Sequence, residues 1–114
     1  MIRIYHNNRC SKSRATLALL EQRGDPVTVI NYLETPPTAT ELGVLLKQLG
    51  MSARQLLRHG EEAYQSLGLD DPALDDTALI AAMVAHPILI ERPIVVANGK
   101  AVIGRPPENV LAIL

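Results

Sequence analysis

The chain has a single cysteine, no tryptophan, no phenylalanine and only three tyrosines. One cysteine rules out an internal disulfide, and His6, His59 and His86 have no zinc-type spacing beside it, so no bound metal is expected. So few aromatic rings leave no stacking platform for single-stranded bases. Neither sign of charge is in excess: eleven basic and twelve acidic side chains give a formal net charge of −1. The pI near 6.3 lacks the basic footprint of a nucleic-acid-binding domain. No apolar run approaches the ~18 residues of a membrane span. The opening Met1-Ile2-Arg3-Ile4-Tyr5-His6 turns polar too soon for a secretory signal peptide. Neither nucleic acid nor membrane is therefore expected as a partner, and the expected location is the cytoplasm. Internal repeats, low-complexity tracts and long linkers are also missing.

What remains is 114 residues, 47% of them hydrophobic, enough for one domain over 1–114 with a core of Leu, Ile, Val and Ala. Residues 2–5 read as a short buried strand, ended by the turn-prone His6-Asn7-Asn8-Arg9. From Ser11 the period changes. Ala15, Leu17, Ala18, Leu19 and Leu20 give the apolar side of a helix capped by Cys10 or Ser11 and stopped at Gly24. Val27-Thr28-Val29-Ile30 is β-branched and follows Pro26, a second strand. A strand–helix–strand unit implies a parallel pair.

After Thr35-Pro36-Pro37, a helix begins at Thr38 or Thr40, with Leu42, Leu45, Leu46 and Leu49 as its stripe and Gly50 as its stop. Shorter helical pieces follow at about 52–58, 61–67 and 76–85, and no strand signal interrupts them. Pro93-Ile94-Val95-Val96-Ala97, Asn98-Gly99 and Lys100-Ala101-Val102-Ile103 then form a hairpin, because Asn-Gly suits the positive φ of a type I′ turn. Pro106-Pro107 opens a last helix with Val110, Leu111, Ile113 and Leu114 on its apolar side. The expected fold is α/β and thioredoxin-like, a mixed four-stranded sheet with a helical insertion at about 38–87 between the βαβ and ββα parts.

Cys10 sits between a strand's end and a helix's start, where unpaired amides favour an anion. Arg9, Lys12 and Arg14 add positive charge within four residues. A small inert capping residue is the competing reading, but a charged turn favours a reactive thiol. Ser13 occupies the place of the second sulfur in a Cys-x-x-Cys motif, so turnover at Cys10 needs an external thiol. His6 is either a turn residue bonded to backbone or a group that tunes the thiol. Arg92 stands before Pro93 at a strand entry, and Arg105 follows the hairpin; with Arg58 they supply planar forks suited to oxyanions. Spacing alone leaves open whether the three share a site. His59 and His86 read as structural or solvated.

Assembled, these residues resemble the arsenate reductase (ArsC) family of the glutaredoxin-coupled type. The carrying segments are Tyr5-His6-Asn7-Asn8-Arg9-Cys10-Ser11-Lys12-Ser13-Arg14, Tyr32-Leu33-Glu34-Thr35-Pro36-Pro37, Leu56-Leu57-Arg58, His86 to Val96, and Gly104-Arg105-Pro106. The resemblance implies that Cys10 is catalytic, that Arg58, Arg92 and Arg105 bind an oxyanion, and that His6, Ser13 and Arg14 surround and tune the thiolate. It further implies glutathione as co-substrate with no bound cofactor, glutaredoxin as partner and a small oxyanion as substrate; the oligomeric state is not given by the sequence, with a monomer as the expectation. Asn8 and Ser11-Lys12 depart from the pattern of established arsenate reductases, and the chain looks closest to the short YfgD/YffB-like branch. The family shares its fold with the Spx regulators, so a redox regulator binding RNA polymerase is the rival reading. Ser13 argues against the Cys-x-x-Cys switch of that class. A glutaredoxin-like reductase of glutathione mixed disulfides is the third reading, needing Cys10 but not all three arginines. Thioredoxin-like folds also lead one to expect a cis Arg92–Pro93 bond.

Overall fold

A computed structural model describes residues 2–114. The chain divides into two compact units, one formed by 1–35 with 92–114 and the other by 36–91. The second is the expected insertion, a few residues longer at each end than the sequence indicated.

In the first unit, β1 (Ile2–His6), α1 (Ser11–Gln22) and β2 (Val27–Asn31) form the βαβ half, and β3 (Ile94–Ala97) and β4 (Lys100–Ile103) form the hairpin. The sheet order is β2-β1-β3-β4. β1 runs parallel to β2, with Ile4 opposite Val29, and antiparallel to β3, with Ile4 also opposite Val95. β3 and β4 pair antiparallel around Asn98 (φ 55°) and Gly99 (φ 74°), the positive φ values that the Asn-Gly turn anticipates. Strand β1 is thus central, and its last residue delivers the chain to Cys10.

Ile2, Ile4, Leu20, Val95, Ala97 and Val110 form the buried cluster of this unit, extended by Leu17, Leu19, Val27, Val102, Ile113 and Leu114. Two expectations are corrected here. Ala15 and Ala18 are exposed; the buried face of α1 is Ser13, Thr16 and Leu20. Positions 13, 16 and 20 follow the helical period, and their hydroxyls are satisfied by hydrogen bonds, so polar residues occupy the core side. The final helix is a 3-10 helix, Pro107–Ile113, rather than an α-helix. Its three-residue period aligns Pro107, Val110 and Ile113 inward and leaves Leu111 exposed.

In the second unit, α2 (Ala39–Leu49), α3 (Ala53–Leu56), α4 (Glu62–Ser66), α5 (Asp76–Ala85) and a 3-10 turn (Pro87–Leu89) follow one another. Thr38 and Glu41 form a reciprocal capping box on α2, and Gly50 ends it in the left-handed region. Leu42, Leu45 and Leu46 are buried as the stripe predicts. An isolated antiparallel bridge, Leu57 to Ile90, has no counterpart in the sequence reading. The Arg58 amide donates to the Leu89 carbonyl (2.8 Å) and the Glu91 amide to the Leu56 carbonyl (3.0 Å). His59 is exposed and stacks on Tyr64 with centroids 4.7 Å apart, and His86 is exposed.

Ile4, fully buried in the central strand, supplies the stability test of this arrangement. Ile4→Ala is expected to lower unfolding free energy by about 2–5 kcal/mol, read as a lower urea midpoint.

Candidate active site

The turn from β1 to α1 is built from its own backbone and one buried hydroxyl. The Cys10 amide donates to the Asn7 carbonyl (3.0 Å), and the Arg14 amide to the Cys10 carbonyl (3.0 Å). Cys10 is the N-cap, with extended backbone (φ −93°, ψ 123°) and no capping bond from its side chain. Its sulfur is therefore not spent on helix capping. Asn7 is buried, and its side-chain oxygen accepts from the Arg9 amide (2.9 Å).

Ser13 is completely buried. Its oxygen accepts from the Asn7 amide (3.0 Å) and stands 2.6 Å from Nδ1 of buried His6. A hydroxyl has one proton and two lone pairs. With Asn7 on one lone pair, the hydroxyl donates to Nδ1 when the ring proton is on Nε2 and accepts from Nδ1 in the other tautomer. The bond ties the end of β1 to the first turn of α1. Ser13 and His6 thus meet, and they hold the turn that carries the thiol.

Cys10 is partly buried. Burial alone would push its thiol up, but the Ser13 amide, a hydrogen bond from the Arg92 guanidinium, the Lys12 amide and the Arg92 charge together hold it below its ordinary value. Arg105 Nη1 lies 3.8 Å from Sγ and 3.5 Å from the Arg92 carbonyl. Arg105 is exposed and Arg92 partly buried, so solvent screens the charge of Arg105 more than that of Arg92. Lys12 contributes through its amide rather than its ammonium. The Arg14 guanidinium donates to the Asn8 carbonyl (3.1 Å), and so braces the turn.

The Arg92–Pro93 peptide is cis, as expected, and the Arg105–Pro106 peptide is cis as well. Arg58 belongs to the second unit, where Nε is 3.2 Å from Glu61 and Nη1 is 2.8 Å from Glu91. Among the described residues no group of three or more His, Cys, Asp or Glu is placed to hold a metal ion. No helix of the described residues is long and apolar enough to cross a membrane.

A hollow of about 360 Å³ borders the turn, lined by Asn7, Asn8, Arg9, Asn31, Leu33 and Glu34. A larger one, about 470 Å³, lies where β1 begins, among Ile2, Arg23, Asp25 and Leu114, away from the thiol. Sequence reasoning missed two residues behind the thiol, Thr16 and Gly104. The only signal for them was a polar residue on the helix period and a glycine directly before Arg105.

Comparison with known proteins gives concordant findings. The profile described as the ArsC family matches residues 5–113. The chain is 60% identical over 114 residues to the uncharacterized protein YfgD of Escherichia coli (strain K12), covering 99% of this chain and 96% of that one. It is 54% identical over 114 residues to an arsenate reductase of Neisseria meningitidis serogroup B, covering 99% and 97%. A solved structure, an arsenate reductase from Vibrio cholerae, superposes with a TM-score of 0.97 at 58% identity, covering 99% and 97%.

The depressed thiol has a measurable consequence. Alkylation by iodoacetamide, followed against pH, is expected to show a midpoint below the ~8.5 of a free thiol, and Arg92→Ala is expected to raise it. A native state that favours the thiolate also couples to stability. The contribution is fully present above the unfolded thiol's value and is lost as pH falls through the folded value. Urea unfolding should therefore gain stability with rising pH across that window, and Cys10→Ser should remove this increment.

Proposed function

This chain belongs to the ArsC family, and on that premise we propose that it is a thiol-dependent oxyanion reductase, with arsenate as substrate and glutathione and glutaredoxin as the source of electrons. The observation that carries the reading is the Cys10 sulfur at the start of α1, with the Lys12 and Ser13 amides and the Arg92 guanidinium upon it and Arg105 at 3.8 Å. One group of donors then serves two ends. It lowers the thiol and offers charge-assisted bonds to an incoming oxyanion.

In the proposed reaction the Cys10 thiolate attacks arsenic(V), and an arsenate oxygen leaves as water after protonation. Ser13 supplies no second sulfur, so a glutathione thiolate attacks the arsenic next and a second oxygen leaves as water. A glutaredoxin thiolate then takes the glutathione sulfur as a mixed disulfide. The electron pair of the sulfur–arsenic bond remains on arsenic, which becomes arsenic(III), and hydrolysis of the remaining bond returns the Cys10 thiol and arsenite. The net change is arsenate plus two thiols to arsenite, a disulfide and water. Arg92 and Arg105 would hold the oxyanion in this scheme. Arg58 is the third arginine of the resemblance, and any exchange onto an oxyanion would displace Glu61 or Glu91 from it.

The test is arsenate reduction with glutathione and glutaredoxin present. Cys10→Ser is expected to abolish turnover. Each of Arg92→Ala, Arg105→Ala and Arg58→Ala is expected to lower kcat/KM by about ten- to a hundredfold, since a charge-assisted contact is worth about 1.5–3 kcal/mol. Lysine at these positions should not restore full activity, because a point charge lacks the bidentate fork. Efficient reduction of glutathione mixed disulfides by the wild type and all three alanine variants alike would instead mark a glutaredoxin-like thiol enzyme.

A further inference from the structure

Six of the seven glycines have open space where a side chain would project, and four of those have positive φ. Gly104 is the exception. Its φ is ordinary, yet a Cβ there would lie 2.6 Å from Thr16 Oγ1, 2.9 Å from Thr16 Cγ2 and 3.0 Å from Pro93 Cγ. Glycine is thus required at 104 for space and not for backbone freedom. Thr16 and Pro93 are both buried.

The residue is fastened on both sides. Its amide donates to the Pro93 carbonyl (2.9 Å), and its carbonyl accepts from the Thr16 hydroxyl (3.1 Å). The hydroxyl has one proton and shares it with the nearer Lys12 carbonyl (2.8 Å), in the first turn of α1. The bond to Lys12 is one that a helical threonine makes in many settings. The bond to Gly104 joins positions 88 apart in the chain. Gly104 therefore touches, at one buried point, the turn of α1 that follows the one carrying Cys10, the segment that carries Arg92 and the backbone that leads into Arg105.

We propose that Gly104, seated on Thr16, is a positioning residue for the reaction: its missing side chain lets these three segments meet closely enough for the Arg105 guanidinium to reach the Cys10 sulfur. The contact is long, 3.8 Å, so a retreat of the backbone that leads into Arg105 would break it. An added methyl group cannot be absorbed by Thr16, whose χ1 is stiff and whose surroundings are close-packed. Either Thr16 gives way, breaking its link to Gly104, or the backbone at 104 retreats and takes Arg105 with it. The inference rests on the reading of Cys10 as a working thiolate beside an oxyanion site, and its main readout needs no arsenate.

The experiment compares wild type, Gly104→Ala, Thr16→Ala, Thr16→Val and the Gly104→Ala/Thr16→Ala double variant, with circular dichroism to confirm folding. The first readout is iodoacetamide alkylation of Cys10 against pH. The second is protection of Cys10 by inorganic phosphate, an oxyanion of arsenate's shape. Gly104→Ala is expected to raise the alkylation midpoint, slowing the reaction at pH 6.5 by about three- to tenfold, where one pKa unit is tenfold in thiolate, and to weaken phosphate protection by about tenfold or more. The double variant should return most of the way to the level of Thr16→Ala alone, because the two nearest colliding atoms are gone and only the Pro93 contact at 3.0 Å remains, a non-additivity that defines the contact. A folded Gly104→Ala with the wild-type midpoint, or a double variant no better than Gly104→Ala, overturns the proposal. If Gly104→Ala does not fold, Thr16→Val decides. It keeps the volume and loses the hydroxyl, so a raised midpoint supports the proposal and an unchanged one overturns it. Absence of phosphate protection in the wild type would count against the oxyanion reading, while the alkylation series would still decide the role of Gly104.

Discussion

A partly buried thiolate is tolerable only if its charge is met by fixed donors, and the organisation of the first unit follows from that demand. Burial works against ionisation of Cys10, and the Ser13 and Lys12 amides with the Arg92 guanidinium outweigh it. Amides of a helix's first turn are useful only if the turn is held still, since a frayed end turns its donors to water. The holding is done by hydroxyls. Ser13 ties the turn to His6 and Asn7, and Thr16 ties the next turn to Gly104. The buried face of α1 is therefore half polar, at positions where a leucine would pack but could not fix the donors.

Ser13 has a second consequence. In a Cys-x-x-Cys site the second sulfur is also the resolving group, and its place in the helix makes it both structural and reactive. Here the hydroxyl keeps the structural part and gives up the reactive one. With one cysteine in the chain, an oxidised or derivatised Cys10 has no intramolecular route back to the thiol. An exposed Arg105 beside a partly exposed sulfur suits the proposed reaction, in which both an oxyanion and an external thiol approach from solvent. In the proposed reaction the electrons arrive from outside for the same reason.

Local features were legible in the sequence because short-range sterics decide them. The Asn98-Gly99 turn, the Gly50 stop, the β-branched strands and the thiol at a strand-to-helix junction each follow from a few adjacent residues. The buried face of α1 was misread because hydrophobic periodicity weighs apolar side chains and gives no credit to Ser13 and Thr16. Their burial depends on partners that include Gly104, far off in the chain. The C-terminal segment was misread for a related reason, since Pro107, Val110 and Ile113 fit a period of three only once the core position of Val110 is known. Of the arginines, Glu61 as a partner of Arg58 lies at a helical spacing. Glu91 is brought to Arg58 only by the Leu57–Ile90 bridge, which carries no sequence pattern.

With a net charge of −1, the protein has no general field to draw in an anion, so oxyanion affinity has to come from where its cations are placed. Those cations do not wait as bare charge. Arg92 is engaged with the thiolate, and Arg58 with two carboxylates whose side chains, like its own, are about a quarter exposed. In the proposed reaction an oxyanion on Arg58 would have to displace one of these part-buried carboxylates. Discrimination in that reaction then rests on geometry, on whether the planar forks match a tetrahedral oxyanion better than the partners they hold at rest. That places the weight on the backbone that aims the forks: for Arg105 on the close contact between Gly104 and Thr16, and for Arg58 on the bridge that ends at Glu91.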